Sequence, residues 1–118
     1  MADRQGQGRG VSSHFTPEGL AEIAERFRAL GEPARLAILD ALRDGERTVG
    51  ELTTATGQGQ ANVSRHLAVL HAAGFVRRRR DGNFVRYCVA DPSVLQLCDL
   101  VCGRIERGAE ALAERLRG

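Results

Sequence analysis

The feature that most limits what this chain can fold into is a change of period at Gly74. Before it, apolar residues recur every three or four positions, as on the buried face of a helix. After it the period is close to two. Phe75-Val76-Arg77-Arg78-Arg79-Arg80 reads as a strand, Asp81-Gly82 as a hairpin turn, and Asn83-Phe84-Val85-Arg86-Tyr87-Cys88-Val89 as the returning strand. A mainly helical chain with one β-hairpin set late in it leaves few architectures open.

The helical part divides at clear punctuation. Thr16-Pro17-Glu18 offers an N-cap, a proline for the first helical position and an acid in the first turn. Leu20, Ile23, Ala24, Phe27 and Leu30 follow at helical spacing, and Gly31 stops the run. Glu32-Pro33 starts a second helix, carrying Leu36, Ile38, Leu39 and Leu42 and ending near Asp44-Gly45. Thr48, with Glu51 three residues on, predicts a capping box for a short third helix over residues 49–56. Gly57 and Gly59 mark a turn, and a fourth helix runs from about Gln60 to Ala73 with Val63, Leu67 and Leu70 on its apolar face. Asp91-Pro92 opens a last helix, from about Pro92 to Arg115. Residues 1–15, rich in Gly, Gln, Ser and Arg, have no periodicity and read as a flexible arm ahead of a single domain over residues 16–117.

Four helices, a hairpin and a final helix, with a tight glycine turn between the third and fourth, is the order of a winged helix-turn-helix. In such a pair the second helix enters the major groove, and its leading half must carry side chains that reach base edges. That segment holds Gln58, Gln60, Asn62, Ser64 and Arg65. Gln and Asn can pair bidentately with adenine and Arg with guanine, while Ser64 and the helix amides suit a phosphate oxygen. Strand alternation puts Arg77 and Arg79 on one side of the wing and Arg78 and Arg80 on the other, with Asn83 at the tip. One arginine pair can face DNA, at phosphates or the minor groove, positioning the protein more than specifying sequence.

Charge and composition agree with duplex DNA as partner. The net charge is only +2, but Arg77–Arg80, Arg65 and Arg86 concentrate the positive charge locally. Aromatic residues are 4% of the chain, too few for a stacking platform for single strands. No apolar run approaches the roughly 18 to 20 residues that cross a bilayer, and no apolar signal core opens the chain, so no membrane role and a cytoplasmic location are expected. An enzyme is a poor reading. His66 is the best isolated acid-base candidate, but no carboxylate pair or nucleophile accompanies it. Beside Val63 and Leu67 it reads as a packing or phosphate-contact residue. A protein-interaction winged helix is the other competing class, and the arginine wing with its Gln/Asn/Ser/Arg reading face argues against it.

Leu30-Gly31-Glu32-Pro33-Ala34-Arg35-Leu36-Ala37-Ile38-Leu39 resembles the opening helix motif of ArsR/SmtB-type transcriptional regulators. Gln60-Ala61-Asn62-Val63-Ser64-Arg65-His66-Leu67-Ala68-Val69-Leu70 resembles their recognition helix, and Ala73-Gly74-Phe75-Val76 with Arg80-Asp81-Gly82 and Val85-Arg86-Tyr87 their wing. The resemblance spans about Leu20 to Val101. It implies a homodimer through the first and last helices, an imperfect palindromic operator, repression, and release by an inducer: a metal ion, an arsenical, or a reactive sulfur or redox species. The departures are specific. Residues 51–55 carry no cysteine pair, and the last helix has Asp99, Glu106 and Glu110 but no His, so neither common metal site of the family is present as such.

The three cysteines are too few, and odd in number, for a disulfide framework. Cys98 and Cys102 are four apart on the last helix and share a face, with Cβ atoms roughly 5–6 Å apart. Two thiolates so placed can bind one soft ion or trivalent arsenic, completed by the same pair of a second chain or by Cys88 or the arm as third ligand. They can also take up a polysulfide link. The competing reading is packing: Leu95, Cys98, Cys102, Ile105, Ala109, Leu112 and Leu116 form one apolar stripe, and Cys behaves as a small hydrophobe. On that reading the protein binds DNA constitutively, without an effector. No cofactor is required on either reading.

Overall fold

A computed structural model describes residues 14–117. Helix α1 spans Pro17–Leu30, and the Thr16 hydroxyl accepts the Gly19 N–H at 3.0 Å as its N-cap. Helix α2 spans Pro33–Ala41. A two-residue strand β1, Arg47–Thr48, leads into α3, Val49–Thr56. The predicted capping box is complete: Thr48 Oγ1 accepts from Glu51 N at 3.2 Å and Glu51 Oε1 from Thr48 N at 2.9 Å. Gly57 closes α3 in the left-handed region, φ 74°, where a side chain would be strained. Helix α4 spans Gln60–Ala72, strands β2 and β3 span Val76–Asp81 and Phe84–Val89, and α5 spans Ser93–Arg117.

The core lies where α2, α3 and α4 meet. Ile38, Leu39, Leu52, Val63, Leu67 and Leu70 are fully buried there. Burying a Leu or Ile side chain is worth about 1.5–3 kcal/mol, so these six residues seat the helix-turn-helix firmly. Val76 and Val94 extend the core under the root of the hairpin and the start of α5.

The structure departs from expectation in three places. The hairpin is part of a three-stranded antiparallel sheet, ordered β1-β3-β2, in which Arg47 pairs with Tyr87 and Thr48 with Arg86. Thr48 therefore both pairs with the wing and caps α3, which locks the wing to the first helix of the reading pair. The second helix ends at Ala41, short of Asp44-Gly45, because the chain turns through residues 42–45. The last helix begins at Ser93 and continues to Arg117. Of the arm foreseen for residues 1–15, residues 1–13 lie outside the described residues, and His14 and Phe15 are exposed.

Two apolar stripes are not covered in the single chain. On α1, Leu20 and Phe27 are exposed; on α5, Leu100, Val101, Ile105, Leu112 and Leu116 are exposed. No helix among the described residues is long and apolar enough to cross a membrane.

Candidate nucleic-acid interface

The leading half of α4 presents Gln60, Asn62, Ser64 and Arg65 to solvent, while Val63, His66, Leu67 and Leu70 point into the body. This division follows the helical period: the polar side chains fall between the buried ones. Arg65 donates to Asn62 Oδ1 at 3.0 Å, so these two exposed side chains are aligned along one face of the helix. Gly59 is the N-cap and offers no side-chain cap, which leaves the first amides of α4 free of a side-chain partner.

Gln58 does not join this set, contrary to the sequence expectation. Its side-chain amide donates to the Ala34 carbonyl at 2.9 Å, and its Oε1 is buried without a partner among the described residues. The short Thr56–Gly59 turn folds this residue back onto α2, so Gln58 braces the turn from within instead of extending from it.

The wing sorts its arginines by the alternation of the strand. Arg77 donates to the Ala90 carbonyl at 2.7 Å, and Arg79 is paired with Glu46 at 2.6 Å. Arg78 and Arg80 are exposed and make no side-chain hydrogen bond or ion pair among the described residues. Arg86, counted from sequence in the basic patch, is instead held by Asp81 at 2.8 Å and lies 3.7 Å from Glu51. These pairs have the expected electrostatic signature. Arg79 holds the Glu46 carboxyl below the usual range, and Arg86 does the same to Asp81. The positive charge not offset by an acid is therefore narrower than the sequence suggests: Arg65 on α4 and Arg77, Arg78 and Arg80 on the wing, of which Arg77 is turned to the Ala90 carbonyl. Gly82, φ 62°, makes the tip, with exposed Asn83 beside it.

Two of the three thiols are on α5 and the third is in the wing strand β3. Cys98 is half-buried on α5 and Cys102 is exposed. Burial pushes the Cys98 thiol up, partly offset by Arg43, while Asp99 and Asp40 add to the rise. Arg43 also ties α5 to the end of α2, reaching Asp99 at 2.6 Å and Asp40 at 2.8 Å. Cys88 sits in β3 opposite Arg77. No three His, Cys, Asp or Glu side chains gather as a metal site among the described residues, so Cys88 is not a third ligand beside Cys98 and Cys102 within one chain. Strand β3 and helix α5 carry the two sets apart.

Sequence reasoning did not find the role of Arg35. Its guanidinium lies at the junction of α1, α2 and α4, 3.3 Å from His66 Nδ1. The signal was the position of His66 on the apolar side of α4; its partner 31 residues earlier carries no local mark.

Residues 32–78 match the model of bacterial regulatory proteins of the arsR family. The chain is similar to the uncharacterized HTH-type transcriptional regulator Rv0081 of Mycobacterium tuberculosis, 40% identical over 98 residues that cover 80% of this chain and 86% of that one. It is also similar to a probable mercury resistance operon repressor of Streptomyces lividans, 46% identical over 74 residues, 63% of this chain and 59% of that one. Among solved structures it superposes on the homodimeric winged helix-turn-helix DNA-binding domain Mb0332 of Mycobacterium bovis, with TM-score 0.72 and 32% identity over 86% of this chain and 95% of that one.

Proposed function

The chain belongs to the ArsR family of bacterial regulatory proteins, and from that premise we propose that it is a homodimeric repressor whose hold on its operator is released by a thiol-reactive inducer at Cys98 and Cys102. It is a DNA-binding transcriptional regulator, not an enzyme. The observation that carries the DNA-reading surface is the split of α4 into an exposed edge, Gln60, Asn62, Ser64 and Arg65, and a buried face that seats it. With Arg78, Arg80 and Asn83 on the wing, these residues address bases and phosphates together.

Dimerisation is supported by the uncovered apolar stripes of α1 and α5 and by the homodimeric state of the Mb0332 domain. A two-fold protein reads a two-fold site, so the operator is an imperfect palindrome. A soft inducer is supported by the shared face of Cys98 and Cys102 and by similarity to a mercury resistance repressor. Two thiols of one chain do not complete a four-ligand zinc site, and the same pair from a second chain would. The inducer class is a soft metal ion, an arsenical or a reactive sulfur species. Arg43 gives such chemistry a route inward, since it joins α5, one residue from Cys98, to α2.

One observation favours a second reading, constitutive binding with the cysteines packed: Cys98 is half-buried and its thiol is pushed up, away from the reactive thiolate. One experiment separates the two. Duplexes selected from a random pool are bound at graded salt, then challenged with arsenite, zinc, mercuric ion and polysulfide. The wild type is expected to bind with a steep salt slope and to leave on adding an inducer, while the Cys98→Ser, Cys102→Ser protein stays bound. Release of that double variant to the same extent rejects thiol sensing, and a flat salt dependence rejects the DNA-reading surface.

A further inference from the structure

Helix α4 is seated mainly by apolar contacts, which fix its depth better than its rotation. One directional contact adds to them. Arg35 Nε donates to the Ala29 carbonyl at 2.6 Å, its Nη2 lies 3.3 Å from the Arg28 carbonyl, and its Nη1 lies 3.3 Å from His66 Nδ1. The two carbonyls belong to the last turn of α1, the negative end of the helix dipole; the Arg28 carbonyl also accepts the capping Gly31 N–H at 3.2 Å. A guanidinium there is doubly favoured, and its fork is held by α1 while its remaining arm meets α4. Among the described residues no other side-chain hydrogen bond joins α4 to another helix.

A guanidinium has donors and no acceptor. His66 Nδ1 must therefore present its lone pair to Arg35, which fixes the imidazole as the neutral form with its proton on Nε2. Protonating Nδ1 would set donor against donor and cation against cation. His66 is only 6% exposed, so water cannot relieve the conflict. The surrounding charges do not relieve it either. Arg65 on α4 and Arg35 on α2 oppose the imidazolium; Glu32, just before α2, favours it. On α1, Arg28 is paired with Glu25, and on α3, Glu51 is committed to the Thr48 cap. Burial and the two arginines hold His66 below the usual histidine range.

We propose that Arg35 is a positioning residue for DNA reading: through neutral His66 it sets the rotation of the reading helix on α1 and α2, and the setting is lost when Nδ1 takes up a proton. The inference rests on the α4 reading surface given above. Because α1 also carries one of the uncovered apolar stripes, the same contact ties the orientation of α4 to the helix that a second copy would cover.

The sign of the effect makes it testable. A general gain of positive charge on acidification would, by simple electrostatics, tighten binding to phosphates. Release of His66 from Arg35 predicts weaker binding to the selected sequence. Nitrogen chemical shifts of His66 in the full chain at pH 7.5 are expected to show an unprotonated Nδ1. A proton on Nδ1 at that pH would overturn the proposal. Affinity for the selected duplex is expected to fall about threefold or more between pH 7.5 and 5.0, while His66→Asn, which keeps an acceptor near the Nδ1 position, loses that fall. Arg35→Met is expected to lose roughly tenfold in specific over non-specific affinity at pH 7.5, and Arg35→Lys to recover part of it, with thermal melts checking that each variant is folded. Failure of the wild type to bind any duplex at pH 7.5 would remove the reading surface itself. Binding that is indifferent to pH in the wild type and to Arg35→Met would remove only the Arg35–His66 role.

Discussion

Arg79 and Arg86 stand directly opposite each other across the hairpin, and each is bound to an acid: Arg79 to Glu46, Arg86 to Asp81. Like charges at directly paired positions destabilise a sheet. The acids offset that repulsion, and they come from different places. Asp81 is at the wing tip, whereas Glu46 lies just before β1, so the second pair also anchors the wing to the body.

It follows that Glu46→Gln should loosen the wing without unfolding the core. Hairpin amides are expected to exchange roughly two- to fivefold faster, with the difference shrinking at high salt. Hydrogen exchange by mass spectrometry checks it. Equal protection of the hairpin in both proteins at low salt would show that the Arg79–Glu46 pair contributes nothing.

The same sorting of arginines separates positioning from scaffolding. Arg78→Ala with Arg80→Ala removes two wing cations that make no side-chain hydrogen bond or ion pair among the described residues. If each neutralises one phosphate, the slope of log affinity against log salt should fall by about 1.8. Arg79→Ala should change the slope far less, because that charge is already spent on Glu46. A salt titration of both variants on one duplex reads the contrast, and equal slopes would dismiss it.

On α4, Asn62 and Arg65 share a hydrogen bond and face solvent together. Replacing either by Ala should relax sequence preference at one or two positions of each half-site, at about 1–3 kcal/mol per lost bidentate contact. Binding to unrelated duplexes should be nearly unchanged. Selection of preferred sites from a random pool, repeated with each variant, is the measurement; unchanged preferences in both would move base reading elsewhere on the surface.

What could be read from the sequence was what local chemistry writes. Thr16 and Thr48 cap helices because their hydroxyls reach amides within the same turn, and both ends fall where the residues indicate. Asp81-Gly82 specifies the hairpin turn from its own local chemistry, with Gly82 at φ 62°, and strand alternation already divided the wing arginines into two pairs. Several misses lie between segments rather than within one. Arg47–Thr48 is too short to show a period, so β1 is visible only through its pairing with β3. Gln58 looks like a reading residue until the Ala34 carbonyl, 24 residues away, is brought beneath it. Arg86 looks free until Asp81 and Glu51 converge on it.

The response of stability to acid should come in two separable steps, because two kinds of group have folded values below their ordinary ones. His66 is depressed chiefly by burial. Its contribution to stability is whole above about pH 6.5, the ordinary histidine value, and declines as pH falls toward the folded value, since the unfolded chain takes up the proton first. Glu46 and Asp81 are depressed chiefly by Arg79 and Arg86, and Asp99 chiefly by Arg43. Their contribution is whole above about pH 4 and is lost below it. The melting temperature should therefore begin to drop below about pH 6.5 and drop again below about pH 4. His66→Asn should flatten the first step and leave the second. Added salt should weaken the second, whose pairs are exposed, more than the first, whose group is buried. Melting curves across pH at two ionic strengths test both steps, and a first step that persists in His66→Asn would assign it to another group.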